Sequence, residues 1–301
     1  MNITCVETFL TVIRTRTISQ AANILYVSQS TVSGRLKQLE EELGVTLIER
    51  KKGLRGIELT EKGRLFVPLA ERWVQLGKET AYFSHDANQS LLTIAASDSI
   101  ISHIFPKLLQ EMMSREPQLR LQLRSPNVQS IYQMVNAHDA DVGFVHFTSR
   151  YDNVLTQPYM AEKMVLVLSP LRTWPDRPLL PAELDPTCEL RARWSPEIEQ
   201  WHATQWDPSR RPYVLLETIT PLQELLSASE NSWALCSMSV AISLKRQNAA
   251  IAVRDCALGI PERICYLLTR RNPSAYTLAA TQMLLHYLNA YIDQHDYFRR
   301  L

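Results

Sequence analysis

The sequence predicts an α/β protein: an all-α winged helix-turn-helix at the N-terminus and, beyond a long linker helix, a larger two-lobed α/β domain. Three observations predict it. Residues 1–43 carry apolar side chains at helical spacing. Residues 60–84 repeat apolar positions at alternating three and four residues. From residue 91 short apolar runs alternate with helical stripes, as strands joined by crossover helices do.

In the first helix Val6, Phe9, Leu10 and Ile13 fall at i, i+3, i+4 and i+7 and share one face. Ser19 is the expected N-cap of the second helix, where Ala21 and Ala22 permit a close crossing and Leu25 closes the apolar side. Ser28 should cap a third helix whose Val32, Leu36, Leu39 and Leu43 face the core, and Gly44 should end it in a left-handed turn. Gln29, Ser30, Thr31, Ser33, Arg35 and Lys37 are then left outside. Two short helices joined by a tight turn, the second showing small polar and basic side chains, are suited to the major groove of double-stranded DNA. Gln, Ser and Thr can reach base edges, and Arg can pair with guanine or a phosphate. The competing reading of this segment is an amphipathic helix with a solvated polar face.

Arg50, Lys51, Lys52 and Arg55 crowd a segment containing Gly53 and Gly56, followed by Ile57-Glu58-Leu59. That reads as a β-hairpin wing whose basic tip suits phosphates, where a solvated loop is the alternative. Thr60 can cap the next helix, on which Phe66, Leu69, Trp73, Leu76, Thr80 and Phe83 form a heptad seam able to pack against a second copy of itself. Pro68 removes one internal hydrogen bond from that helix and can bend it. A symmetric dimer also matches two DNA half-sites.

The 301 residues exceed one core of ordinary size. Three parts are expected: residues 1–60 as the DNA-binding domain, 61–90 as a dimerising linker helix, and 91–301 as a regulatory domain. Within the last, one lobe spans about 91–163 and 269–301 and the other about 164–268. Net charge is +1, yet residues 1–66 hold ten basic and seven acidic side chains, so the positive excess sits with the helix-turn-helix. The five cysteines (5, 188, 236, 256 and 265) form no Cys-x-x-Cys pair and no zinc spacing. An odd count without a signal peptide points to the cytoplasm, and no apolar run approaches a membrane span.

Strands are expected at Leu92–Ala96, Leu119–Leu123 and Val142–Val145, with helices around Ile104–Met112 and Val128–Val135 between them, which implies a parallel sheet with right-handed crossovers. A similar unit follows from Met164, with strands at Val165–Leu168, Tyr213–Leu216 and Trp233–Cys236, a helix around Leu222–Ser227, and a proline-rich loop from Pro170 to Pro186. A helix from about Thr277 to Ile292 ends the chain. Ligands of such sheets bind beyond the carboxyl ends of the strands. That selects Ser97, Asp98 and Ser99, then Ser125 and Asn127, then His146, with Thr218 and Thr220 facing them from the other lobe. Ser99 beside a helix N-terminus suits a carboxylate, which Asp98 would repel.

The first 66 residues resemble the DNA-binding domain of the LysR-type transcriptional regulators. Phe9, Ala21-Ala22 with Leu25, Val27-Ser28-Gln29, Val32-Ser33, Leu39-Glu40, Leu43-Gly44, Leu47, Arg50, Leu59-Thr60 and Gly63 carry the likeness. Ile48 stands where the family usually has Phe, and Gly34 where many members have a larger polar residue, at about 1 kcal/mol of helix stability. The rest resembles the family's periplasmic-binding-protein-like effector domain, less specifically. The resemblance implies a regulator modulated by a small-molecule effector, assembled as a dimer or homotetramer and contacting RNA polymerase. It leaves a thiol-based redox sensor of the same family as an alternative, with Cys256 and Cys265 the residues that suggest it. No cofactor, metal or catalytic residue is expected. The chain lacks a Gly-rich phosphate loop, His-Glu-x-x-His and Gly-x-Ser-x-Gly, holds only eight glycines, and has nothing to place Cys188 beside His146 or His202. A solute-binding transport protein should carry a secretion signal and no helix-turn-helix.

Overall fold

The computed structural model describes residues 2–49, 57–85 and 90–301, and the chain divides into two compact units, Met1–Gln89 and Ser90–Leu301. The first holds α1 (Ile3–Thr15), α2 (Ile18–Ile24), α3 (Gln29–Leu43), β1 (Ile48–Glu49), β2 (Glu58–Leu59) and α4 (Glu61–His85). The cap of α2 is Thr17 rather than Ser19: its extended backbone precedes Ile18 and its hydroxyl accepts from the Gln20 N–H. Ser28 caps α3 by accepting from the Thr31 N–H, and Gly44 closes the helix at φ +67°. Between α2 and α3, Tyr26 holds φ +54°, a left-handed conformation costly for a bulky side chain.

The core of this unit joins Val6, Phe9, Ala21, Val32, Leu36 and Leu39 to Phe66, Ala70 and Val74 of α4. That corrects the expected seam. Phe66 turns inward, its ring 5.4 Å from that of Phe9, because a domain this small needs α4 to complete its core. The apolar stripe left outside is Leu65 (62 % exposed), Leu69 (56 %), Trp73 (41 %) and Leu76 (55 %). The side chains of Thr80 and Phe83 lie outside the described residues. Gly77 of α4 packs against Ile3 of α1: a Cβ there would lie 2.0 Å from Ile3 Cδ1.

β1 and β2 pair antiparallel, Ile48 opposite Leu59, as the base of a hairpin. Its expected basic tip, with Arg50, Lys51, Lys52 and Arg55, lies outside the described residues. Glu40 ties this base to α3, its Oε1 accepting from the N–H groups of Leu47 (2.6 Å) and Ile48 (3.0 Å).

The second unit continues with β3 (Ser90–Ala96), α5 (Asp98–His103), α6 (Phe105–Arg115), β4 (Leu119–Arg124), α7 (Val128–Asn136), β5 (Val142–Val145), β6 (Val154–Glu162) and β7 (Met164–Leu168). Then follow β8 (Leu190–Ala192), α8 (Pro196–Gln205), β9 (Val214–Leu216), α9 (Leu222–Leu226), β10 (Trp233–Ser237), α10 (Met238–Gln247), β11 (Ala252–Arg254), β12 (Arg263–Arg270), α11 (Ala275–Asp293) and β13 (Phe298–Arg300). One lobe is built on a six-stranded sheet in the order β13-β6-β12-β5-β3-β4, with β3 parallel to both β4 and β5. The other carries the antiparallel β10-β7-β11 sheet and the parallel β8-β9 pair.

Three features differ from the sequence reading. β12 belongs to the six-stranded sheet, between β6 and β5, so the second lobe ends before Arg263 instead of near residue 268. The chain closes on a strand, β13, beyond its last helix. β4 is an edge strand, which leaves Leu123 exposed where a fully half-buried alternation was expected. The chain crosses between lobes at Lys163 and again between β11 and β12; Lys163 Nζ, 2.8 Å from Asp255 Oδ1, clasps the two crossings.

Candidate functional site

On α3 the burial of Val32, Leu36 and Leu39 leaves Gln29, Ser30, Thr31 and Lys37 exposed and Ser33 and Arg35 half-buried. The Ser28 hydroxyl fixes its neighbours, lying 2.7 Å from Ser30 Oγ and 2.8 Å from Thr31 Oγ1. Gln29 Nε2 makes a long 3.5 Å contact to Ser19 Oγ on α2. Arg35 leans back toward α1, NH1 donating to the buried Thr8 Oγ1 at 3.4 Å, so it is less outward than its spacing implied. Lys37 pairs with Glu41 one turn on, in full solvent. Gly34 sits on this face with open space where a side chain would stand. Tyr26 is 95 % exposed in the turn before α3, with its backbone in the left-handed region.

In the second unit the strand ends converge on a different kind of site. Ser99, near the start of α5, is buried and accepts at 2.9 Å from Arg263 NH1. Arg263, at the start of β12, lies opposite Glu162 in the β6 ladder, and its guanidinium carbon sits 4.9 Å above the Trp194 ring. Burial lowers the Arg263 pKa to about 10 against the pull of Glu162. The same burial raises the Glu162 carboxyl, although its Oε1 accepts from the Ser239 N–H at 2.7 Å. His146 is buried next to them, Nδ1 donating to the Ile264 carbonyl (2.9 Å); desolvation and then the Arg263 charge hold its pKa well below 6.5, so the ring is neutral. Four buried atoms here, Asp98 Oδ2, His146 Nε2, Trp194 Nε1 and Arg263 Nε, have no protein hydrogen-bond partner. Each carries a desolvation cost of about 1–3 kcal/mol that a polar guest could relieve.

The structure therefore brings together Ser99 and His146 and adds Arg263, Glu162 and Trp194, which the sequence reading missed. Ser97 precedes α5 without a side-chain cap bond, and Asp98 Oδ1 accepts from Ser102. Asn127 caps α7 by accepting from the Ser130 N–H, while Ser125, Thr218 and Thr220 are exposed; none of these four bonds to the buried network. His202 is held by Glu189 (2.9 Å), not by Cys188. Burial raises the thiols of Cys5, Cys236, Cys256 and Cys265, the opposite of what a reactive cysteine requires. Among the described residues no group of three or more His, Cys, Asp or Glu could hold a metal, and no helix is long and apolar enough to cross a membrane.

Residues 3–64 match the family model described as bacterial regulatory helix-turn-helix protein, lysR family, and residues 85–288 that of the LysR substrate binding domain. The HTH-type transcriptional regulator YeiE of Escherichia coli is 30 % identical over 164 residues, 54 % of this chain and 55 % of that protein. SsuR of Burkholderia cenocepacia is 33 % identical over 146 residues, 47 % of each chain. The chain thus spans about half the length of the curated relatives it matches. A variant of full-length OxyR from Pseudomonas aeruginosa superposes with TM-score 0.65 at 20 % identity, covering 96 % of this chain and 95 % of that one. Full-length BenM gives 0.55 at 16 %, covering 98 % and 97 %. At such identities these structures speak for the fold alone. The family models, which together take in most of the sequence, carry the assignment: this chain belongs to the LysR family of bacterial regulatory helix-turn-helix proteins.

Proposed function

We propose that the chain is a sequence-specific DNA-binding transcriptional regulator acting in the cytoplasm, its activity set by a small polar effector in the cleft around Ser99, His146, Trp194 and Arg263. The observation that carries the reading is α3: an apolar stripe locked into a compact core, with Gln29, Ser30, Thr31 and Lys37 displayed on the opposite side. The structure of CbnR with its target DNA complex, TM-score 0.50 at 20 % identity over 96 % of this chain and all of that one, supports the same use of the fold. Arg35, Ser33 and the basic wing residues Arg50, Lys51, Lys52 and Arg55 complete the proposed interface.

The exposed stripe Leu65, Leu69, Trp73 and Leu76 supports α4 as the dimer contact, and such a dimer would set two recognition helices in successive major grooves. Dimers pair into a tetramer, and effector binding changes the angle between them, DNA bending and contact with RNA polymerase. A ligand shifts that balance only by its differential affinity for the two states.

The test is to mix the full chain with fragmented genomic DNA of its host and sequence what stays bound at moderate salt. A few enriched sites sharing an inverted repeat are expected, and Gln29→Ala with Thr31→Ala should abolish the enrichment. Featureless retention unaffected by those changes would remove α3 from sequence recognition.

A further inference from the structure

A cavity of about 100 Å3 lies between α5 and α6 of one lobe and α10 of the other, bordering the Ser99 network at Ser239. A single water needs only about 10–15 Å3, so there is room for a tetrahedral oxyanion. Its lining includes His103, Lys107, Arg246, Ser239, Ser243 and Tyr297; the Ser239 hydroxyl also lies 3.3 Å from that of Ser237. Burial keeps Tyr297 protonated, and its hydroxyl is hydrogen-bonded to that of Tyr291. His103 Nδ1 is buried without a hydrogen-bond partner. Lys107 and Arg246 are exposed and make no ion pair among the described residues. Of the neighbouring carboxylates, Glu162 Oε1 accepts from the Ser239 N–H and Asp98 Oδ1 from Ser102, while Asp98 Oδ2 is buried without a partner and its charge reaches His103. Two cationic side chains, Lys107 and Arg246, and the orphaned Nδ1 of His103, an imidazole whose pKa burial lowers, line one small polar space from both lobes.

We infer that this cavity is a second ligand site, for a small tetrahedral oxyanion such as phosphate or sulfate, free or at the end of a small metabolite. Bidentate and point-charge donors are both present, Arg246 supplying the planar fork and Lys107 the compact ammonium. Ligand bound here ties α6 to α10 and so fixes the lobes. It also touches the residue whose backbone amide Glu162 holds; Glu162 in turn faces Arg263, and Arg263 grips Ser99. Ser239 is therefore the joint through which the oxyanion site reaches the cleft.

The experiment is calorimetric titration of the full chain, without DNA, with inorganic phosphate, sulfate and methyl phosphate against chloride at matched ionic strength. One saturable site is expected, weakened about ten-fold or more by Lys107→Gln or Arg246→Gln, each removing a charge-assisted hydrogen bond. Both side chains are exposed, so the variants should melt like the parent. Tighter binding of the inorganic ions identifies a free oxyanion, and tighter binding of the ester a phosphorylated metabolite; either supports the site. Saturable binding that survives both variants but disappears in Ser99→Ala would assign the anion to the cleft and overturn the inference. Loss only in Lys37→Gln, on the DNA face, or no saturable binding at millimolar anion, would overturn it too. None of these readouts depends on DNA recognition, so failure here leaves the proposed regulator function standing.

Discussion

The surface of α3 and the buried network of the second unit are both polar, but they are polar in opposite ways. On α3 the groups are wet, lightly tethered, and free to exchange water for base edges or phosphates. In the buried network they are dry: Arg263, Glu162 and His146 have given up water and depend on one another. A wet site can lose a residue with little effect on the fold and much on binding. A dry site loses stability first, because the partner left behind is an uncompensated buried charge.

Arg263→Met gives the largest expected break. It strands Glu162 and should lower the unfolding free energy of the second unit by about 3–5 kcal/mol, with Glu162→Gln in the same chain restoring most of it. Equal losses in the single and double variants, read by denaturant unfolding, would mean that the two groups do not compensate each other. Next comes Gln29→Ala on the wet side. Specific DNA affinity should drop by about 1–3 kcal/mol, while thermal unfolding stays within about 0.5 kcal/mol of the parent.

The pH response sharpens the contrast. His146 titrates below its unfolded value of 6.5 in the folded chain, so the unfolded state takes up a proton that the folded state refuses. Nothing is lost above that pH; below it, stability of the second unit should fall by about 1.4 kcal/mol per pH unit until the folded ring itself protonates. Comparing melts at neutral and acid pH for the parent and His146→Gln isolates this slope, which the variant should lack. The smallest change is Gly34→Ala, exposed on α3 with empty space around it, which should add about 1 kcal/mol to the first unit. A loss of stability there would point to strain that the helix does not show.

The two regions also differ in how much of them could be read from sequence. Ser28, Gly44 and the Val32–Leu36–Leu39 stripe were legible because cap, stop and stripe are set within a turn or two of helix. The six-stranded sheet's β3, β4 and β5 were legible by period and order. Ser99 was reachable from the general placement of ligands at strand ends. Its partner Arg263 was not, being 164 residues away and brought in only by β12 crossing back into the first lobe. The choice between Leu65 and Phe66 as the outward residue of α4 was equally hidden, since it turns on where Phe9 sits. Tyr26 and Thr17 were missed for a local reason: a positive φ at a non-glycine residue and the exact cap position depend on backbone geometry that composition does not report.

The two faces of α4 have a consequence for the amount of protein present. One face supplies Phe66, Ala70 and Val74 to the core of the first unit; the other leaves Leu65, Leu69, Trp73 and Leu76 exposed, the stripe proposed above to meet a second copy. Because both faces lie on one helix, folding and pairing are linked by mass action, and pairing adds to the stability of the first unit as protomer concentration rises. Its melting temperature should then climb on concentrating the protein while that of the second unit climbs less. In a cell with few copies, the supply of protomers would set how much folded first unit exists.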